Sequence, residues 1–181
     1  MNDDELLASR ILIVDDQPAN LRLLEDLLGR EGFTNVVSTT EPEQVLDLFT
    51  AFDPDLVLLD LMMPGLSGYA VLEQLERQRP ADDYRPVLVL TADATSQARQ
   101  RALSLGAKDF LTKPFDPIEA MLRVWNLLET RLLYKRLRRL VPQSSLLPQR
   151  ARALGQVQEG EVANQHATSP LPGATGAARK K

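Results

Sequence analysis

The segment Ile11-Leu12-Ile13-Val14-Asp15-Asp16 decides the fold, because a continuous apolar run ends there in two carboxylates. No polar residue alternates with the apolar ones, so a strand formed by this run would be buried on both faces. Two runs at 56–59 and 87–90 repeat the pattern, and shorter ones occur at 36–37 and 110–111. The five runs predict a parallel sheet.

Amphipathic stretches of helical length separate these runs. In the first of them Leu21, Leu24, Leu27 and Leu28 fall on one helical face. Strands that alternate with helices predict an α/β fold, in which helices cover both faces of an open parallel sheet. The predicted helices before the last one lie at residues 18–30, 42–51, 68–79 and 95–105.

The last helix is predicted to begin at Pro117, because Asp116 is a good N-cap and proline is favoured at the first helical position. Helical spacing continues to Pro142, so this helix would have about 24 residues and a length of about 36 Å. The apolar side chains expected to face the sheet are Ile118, Met121, Leu122, Trp125 and Leu128.

Residues 129–141 extend this helix beyond the part that the sheet requires. Four leucines continue there at spacings of three and four residues, amid basic side chains. They predict a homodimer through a short coiled coil, with a fold back onto the same domain as the alternative. These leucines are Leu132, Leu133, Leu137 and Leu140.

Charge and composition divide the chain into three parts. Residues 1–115 carry 10 basic and 20 acidic side chains, whereas 116–141 carry 6 and 3, and 142–181 carry 5 and 2. The acidic body argues against nucleic acid as its direct ligand. The tail 142–181, rich in Pro, Gln, Ser, Ala and Gly, is predicted to be disordered. The acidic segment 1–8 is expected to be flexible.

The chain has no cysteine, and none of its apolar runs approaches the roughly 18 residues of a membrane span. Its N-terminus is acidic, whereas a secretory signal begins with basic residues. We therefore expect a cytoplasmic protein without a membrane span.

Reactive side chains come directly after four of the predicted strands, namely Asp15 and Asp16, then Asp60, Thr91 and Lys113. Parallel strands bring such residues to the carboxyl end of the sheet, where α/β folds bind ligands. Three adjacent carboxylates repel one another, and a divalent ion relieves that repulsion. We predict a Mg²⁺ site with Asp16 and Asp60 as direct ligands and Asp15 acting through water.

A carboxylate in such a site can attack phosphorus and form an aspartyl phosphate. Asp60 is the candidate nucleophile, and Lys113 and Thr91 would stabilise the charge on the outer phosphoryl oxygens. Taken singly, these residues could be helix caps, turn residues or a solvated lysine. Their joint position at four strand ends favours a site.

These motifs resemble the receiver domains of bacterial two-component response regulators. The resemblance covers about residues 9–128 and implies a flavodoxin-like (CheY-like) fold with strand order 2-1-3-4-5. The matching segments are 11–16, 58–65, Gly68, 90–92 and 106–115.

By position, the resemblance implies that Asp60 is the phosphoacceptor, that Asp15 and Asp16 bind the metal, and that Thr91 and Lys113 are switch residues. It also implies that the protein receives its phosphoryl group from a sensor histidine kinase or a phosphotransfer protein. Such a protein is a signalling module, whose only chemistry is its own phosphorylation and dephosphorylation.

Three further positions take their roles from the same resemblance. The backbone carbonyl of Met62 would complete the protein ligands of the metal, and Phe110 would be the aromatic switch residue. The bond between Lys113 and Pro114 is expected to be cis. Two side chains depart from common family choices: Phe110 lacks the hydroxyl of tyrosine, and Met62 places a thioether where polar side chains are frequent.

No helix-turn-helix module is evident, and the single histidine, His166, lies in the tail. We therefore expect a single-domain regulator that signals through phosphorylation-dependent contacts with a downstream protein and has no DNA-binding domain. One alternative is a remnant or regulatory partner of a larger multidomain signalling enzyme. Another is a haloacid-dehalogenase-like phosphatase, which would need a second aspartate at position 62 and a cap domain.

Overall fold

A five-stranded parallel sheet forms the centre of the protein in a computed structural model that describes residues 3–80 and 82–140. The strands are paired in the order β2-β1-β3-β4-β5, which confirms the predicted α/β fold and strand order. Their bounds are β1 Ile11–Val14, β2 Val36–Thr39, β3 Leu56–Asp60, β4 Val87–Thr91 and β5 Asp109–Thr112.

Helices connect the strands and cover the sheet. The stretch predicted as a helix at 42–51 begins with a 3₁₀ turn, Pro42–Gln44, ahead of its α-helix. The α-helices of the described residues are α1 Asp3–Leu7, α2 Pro18–Arg30, α3 Val45–Phe52, α4 Gly68–Gln78, α5 Ser96–Ser104 and α6 Pro117–Leu140. No helix in this part of the chain is long and apolar enough to cross a bilayer.

The sheet separates two hydrophobic cores, because successive strand residues point to opposite faces. Ile11 and Ile13 of β1 pack with α1, α2 and α6, whereas Leu12 and Val14 pack with α3, α4 and α5. Burial on both faces is what the continuous apolar runs predict. The polar residues that come after the strands are thereby held at the carboxyl end of the sheet.

The N-terminal segment contains a helix that the sequence analysis did not predict. The segment 1–8 was expected to be flexible, but residues 3–7 form helix α1, and Leu6 is buried in the core that also contains Leu132. Glu5 forms an ion pair with Arg136 of α6. α1 therefore packs against the far end of α6.

Helix α6 has the predicted length of 24 residues, and Asp116 caps it by accepting hydrogen bonds from the backbone N–H groups of Ile118 and Glu119 at 2.8 and 3.0 Å. Its orientation differs from the prediction, since Ile118 and Leu122 are 70% and 58% exposed. The buried face consists of Ala120, Met121, Val124, Leu127, Leu128, Arg131 and Leu132.

The extension of α6 beyond residue 128 packs back onto the domain through Arg131 and Leu132, so Leu132, one of the four leucines predicted to pair, is buried within the domain. Leu133, Leu137 and Leu140, hereafter the leucine stripe, remain exposed. The boundary at residue 128 and the coiled coil stay predictions, and the tail 142–181 lies outside the described residues.

Candidate functional site

Three carboxylates meet at the carboxyl end of the sheet. Asp15 and Asp16 come after β1, and Asp60 ends the neighbouring strand β3. One oxygen of each carboxylate lies within 4.8 Å of the others. Asp15 and Asp60 are buried and Asp16 is half-buried, so the structure brings together the three acidic residues that the sequence predicts.

Lys113 supplies a positive charge to these carboxylates. It comes directly after β5, and its Nζ lies 2.6 Å from Asp15 Oδ2 and 3.2 Å from Asp60 Oδ2. Its backbone N–H donates a 2.7 Å hydrogen bond to the carbonyl of Thr91, and its bond to Pro114 is cis, as predicted. Asp15, Asp16, Asp60 and Lys113 together form what we call the carboxyl-end cluster.

Asp15 is held in place by donors from α2 and its N-terminal turn. Its Oδ1 accepts hydrogen bonds from the Gln17 backbone N–H and from Asn20 Nδ2, both at 2.9 Å. Asn20 Nδ2 also lies 3.1 Å from Asp15 Oδ2. Sequence reasoning did not identify Asn20, whose one signal is its position at the first turn of the helix after Asp15. These contacts make Asp15 a positioned carboxylate with little remaining acceptor capacity.

Asp16 differs from Asp15 because its Oδ1 is buried and has no hydrogen-bond partner among the described residues. A buried carboxylate oxygen without a donor is unfavourable. The carboxyl-end cluster also contains three negative side chains and one positive one. The excess negative charge and the free oxygen both fit a hard divalent cation such as Mg²⁺, which takes oxygen ligands.

Asp60 is fixed through its backbone as well as its side chain. Its Oδ1 accepts a 3.2 Å hydrogen bond from the Met62 backbone N–H. The start of α4 presses against it, because a Cβ on Gly68 would lie 2.1 Å from the Asp60 carbonyl oxygen and 2.6 Å from the Leu61 Cα. Only glycine fits this close approach. The Met62 side chain is 58% exposed.

The two remaining predicted switch positions lie on β4 and β5: Thr91 ends β4, and Phe110 is the second residue of β5. Thr91 is buried, and its Oγ1 accepts a 3.2 Å hydrogen bond from the Asp93 backbone N–H. Phe110 on β5 is buried in the core beneath α3, α4 and α5. A switch residue that has turned inward and a plain core aromatic would both occupy this position, so the switch role of Phe110 stays a prediction.

An apolar cavity of about 420 Å³ opens beside the carboxyl-end cluster. It is lined by Ala92 and Lys113, by residues 114–115, and by Asn20, Leu23 and Leu24 of α2. The small side chain of Ala92 is exposed, which leaves the approach to the cluster open on this side.

A second group of buried carboxylates lies at the opposite, amino end of the sheet. Asp55 precedes β3 and Asp83 precedes β4, and the guanidinium of Arg131, which is 4% exposed, bridges them. Lys135 Nζ lies 2.9 Å from Asp55 Oδ1, and Arg138 lies 3.7 Å from Asp83 Oδ1. We call these five residues the amino-end cluster.

The carboxylates of the amino-end cluster are paired with cations of the protein itself. Burial alone would raise the pKa of Asp55 and Asp83. At Asp55 this effect is outweighed by the hydrogen bond and charge of Lys135 and by the charge of Arg131. At Asp83 it is outweighed by the hydrogen bonds and charges of Arg131 and Arg85. The pKa of each carboxyl is therefore lowered. Sequence reasoning missed Arg131, although it falls on the same helical face as Val124 and Leu128.

Known proteins show the same architecture. Residues 11–124 match the family described as "Response regulator receiver domain". The response regulator PleD of Caulobacter vibrioides is 40% identical over 133 residues, which are 73% of this chain and 29% of that protein. The transcriptional regulatory protein PhoP of Bacillus subtilis, named for alkaline phosphatase synthesis, is 38% identical over 115 residues, or 64% of this chain and 46% of that protein.

Among solved structures, a receiver domain protein (CheY-like) from Methanospirillum hungatei superposes with a TM-score of 0.63 and 26% identity. The similarity covers 68% of this chain and 96% of that one. The matched segment of this chain thus spans most of an isolated receiver domain, but less than half the length of the two regulators.

Proposed function

The chain belongs to the response regulator receiver domain family, and from this premise we propose that it is a phosphorylation-controlled switch with Asp60 as acceptor. Receiver domains are signalling modules that typically take up a phosphoryl group and bind Mg²⁺ at an acidic cluster. The observation that carries the proposal is the carboxyl-end cluster, which combines three adjoining carboxylates, one lysine and a buried Asp16 oxygen that no donor among the described residues reaches.

In the proposed reaction an oxygen of Asp60 attacks the phosphorus of the donor. A bond forms between that oxygen and phosphorus as the bond from phosphorus to the donor's leaving group breaks. Lys113, already 3.2 Å from Asp60, would stabilise charge on the outer phosphoryl oxygens, and the Thr91 hydroxyl would donate to one of them. Asp15 positions Lys113 through their 2.6 Å ion pair.

Asp16, Asp60 and the Met62 backbone carbonyl would hold Mg²⁺, with Asp15 contributing through water. The ion supplies charge neutralisation and a template for phosphoryl oxygens when bound. Asp60 would then serve as both ligand and nucleophile. The family match supports this assignment over the phosphatase alternative. That alternative would also need an aspartate two residues after Asp60, where the chain carries Met62.

Labelling with acetyl phosphate and Mg²⁺ tests the acceptor. Wild type should gain the mass of one phosphoryl group, and Asp60→Asn should gain none, because an amide is a poor nucleophile. Asp26→Asn is the matched control, since it removes the same charge from an exposed position on α2. A phosphoryl group that still maps to this peptide in Asp60→Asn would refute the assignment.

The phosphoryl group would switch the protein through Thr91 and Lys113, because a ligand shifts a two-state equilibrium only through contacts that differ between the states. Thr91→Ala and Lys113→Ala should accept phosphate more slowly but fail to switch. Beryllofluoride with Mg²⁺ should therefore shift amide resonances of β4, α5 and β5 in wild type and leave them in place in both variants. If a variant shows the same resonance shifts as wild type, the switch role of the substituted residue is contradicted.

The phosphoryl source we propose is a sensor histidine kinase or a phosphotransfer protein, and the output is a contact with a downstream protein. The two named relatives are longer than the matched segment, so a role as regulatory partner of a multidomain signalling enzyme is the alternative. A pull-down with and without beryllofluoride tests whether the output depends on phosphorylation. A partner retained only with beryllofluoride supports a phosphorylation-dependent output, whereas identical partners in both conditions contradict it.

We also propose a weak homodimer through α6. The leucine stripe lies on the same side of the helix as the exposed Ile118 and Leu122, opposite the buried face, so it presents a self-complementary apolar surface. The neighbouring Arg136 and Arg139 oppose pairing and would keep the dimer weak. The occupant we commit to is therefore a second copy of this chain.

Sedimentation at tens of micromolar, with and without beryllofluoride, tests the dimer. Wild type should show a concentration-dependent increase in mass that Leu133→Asp/Leu137→Asp abolishes. Leu23→Asp is the control, because it places the same charge on an exposed leucine of α2. A wild-type monomer in both conditions would contradict the proposal.

A further inference from the structure

A cavity of about 190 Å³ lies between α1 and the far end of α6, with Asp55 of the amino-end cluster in its wall. It is separate from the carboxyl-end cluster, none of whose residues lines it. The wall combines a hydroxyl, three cations and two carboxylates. These residues are Ser9, Lys135, Arg136, Arg139, Glu5 and Asp55.

The Ser9 hydroxyl is the first feature of this cavity that calls for a partner. Ser9 is 2% exposed, and its Oγ has no hydrogen-bond partner among the described residues. Its backbone N–H, by contrast, donates a 3.0 Å hydrogen bond to the carbonyl of Leu6. Buried hydroxyls in folded proteins nearly always have a partner, since burying one without a hydrogen bond is destabilising. Ser9 also lines the cavity, so a group bound there is a candidate for the missing partner.

The charged side chains that line the cavity determine whether an anion or a cation is favoured there. Asp55 is engaged by Lys135 at 2.9 Å and by Arg131 at 3.3 Å. Glu5 is engaged by Arg136, and its pKa is lowered, first by this hydrogen bond and also by the charges of Arg136 and Arg139. Both carboxylates thus stay ionised and paired, while the three cations leave one positive charge in excess. A cation is disfavoured there and an anion is favoured.

We propose that this cavity binds a small oxyanion, a phosphate group in chemical class. Its oxygens would accept hydrogen bonds from Ser9 Oγ and from the guanidinium groups of Arg136 and Arg139, each of which carries five donors. The cavity volume of about 190 Å³ well exceeds the roughly 15 Å³ of comparable space that one water needs, so the cavity accommodates a tetrahedral anion. The anion would bridge α1 and α6.

An NMR titration with inorganic phosphate tests this site in the full chain. The titration is run in EDTA, so that the carboxyl-end cluster lacks its metal, and sodium chloride keeps the ionic strength constant. Wild type should show saturable shifts at the amides of Ser9 and of residues 135–139. Ser9→Ala and Arg139→Gln should each weaken the affinity for phosphate about tenfold, the usual effect of losing one charge-assisted hydrogen bond.

Two controls separate this site from other effects. Asp60→Asn should bind phosphate like wild type, which distinguishes the cavity from the proposed acceptor site. Arg30→Gln, which removes an exposed cation at the end of α2, should also bind like wild type. Shifts that do not saturate, or that are equal in wild type, Ser9→Ala and Arg139→Gln, would overturn the proposal.

Thermal unfolding of Ser9→Ala without phosphate provides an independent readout. If the hydroxyl serves only a ligand, removing it should leave the phosphate-free protein at least as stable as wild type, while phosphate raises the melting temperature of wild type alone. If Ser9→Ala lowers the melting temperature without phosphate, the hydroxyl has a partner within the protein, and the proposal is wrong.

Discussion

The two ends of the sheet both gather buried aspartates, but they balance the charge differently. At the amino end, Asp55 and Asp83 face three cations that α6 supplies. At the carboxyl end, three carboxylates share the single ammonium of Lys113. Removing a built-in partner of a buried carboxylate destabilises the fold, whereas a cluster short of positive charge suits the proposed Mg²⁺ and phosphoryl group.

The largest expected effect comes from withholding the external cation. Chelation of Mg²⁺ with EDTA should abolish labelling of wild type by acetyl phosphate, because the excess negative charge then repels the anionic donor. The amino-end cluster needs no ion, so the far-ultraviolet circular dichroism spectrum should not change. Labelling that continues undiminished in EDTA would remove the metal role from Asp15 and Asp16.

The next effect comes from breaking the amino-end cluster. Arg131→Ala leaves two buried carboxylates without their shared cation and should lower the free energy of unfolding by about 3 kcal/mol. Arg138→Ala removes a more exposed cation of the same cluster and should lower it by less than about 1 kcal/mol. Urea denaturation measures both. Equal losses of unfolding free energy in the two variants would show that the contribution of Arg131 does not depend on its burial.

Low pH should also lower the contribution of the amino-end cluster to folding stability. Because the pKa values of Asp55 and Asp83 are lowered in the folded protein, their contribution is fully present above the ordinary value of 3.8 and is lost as the pH falls through the lower folded values. Asp83→Asn should therefore be less stable than wild type at neutral pH, and the difference should shrink below about pH 4. A difference that does not vary with pH would contradict this assignment.

The smallest effect concerns the exposed Met62 side chain beside the acceptor. A bulky apolar group should hinder a water approaching the phosphoryl group more than a polar one does. The phosphorylated wild type should therefore decay modestly more slowly than Met62→Asn, as measured by loss of radiolabel in Mg²⁺ after the phosphoryl donor has been removed. Decay of wild type that is as fast or faster would reject this role for the thioether.

The sequence predicts the carboxyl end of the sheet better than the amino end for a physical reason. Asp15, Asp60, Thr91 and Lys113 each lie at the end of an apolar run, so topology alone brings them together. Arg131, by contrast, meets Asp55 and Asp83 across 76 and 48 residues of sequence. No local pattern records such a pairing, and a charge within a helix is ordinarily expected at the surface.

Helix α1 escaped prediction for a related reason. A helix of five residues is unstable by itself, and this one depends on contacts with the distant end of α6. The same end of α6 decides which of its apolar residues face inward. Because burial of Arg131 and Leu132 sets the rotation of the helix, Ile118 and Leu122 turn outward, although their spacing alone allows either side.

The position of Arg131 also bears on how this protein can be divided. The segment shared with the family ends at residue 124 and contains every residue of the carboxyl-end cluster. A fragment cut there would keep that cluster but lose the cations that α6 supplies to Asp55 and Asp83. The minimal folding unit of this chain therefore reaches into the last turns of α6, and a chimera that fuses another domain to this receiver should place the junction after Arg138.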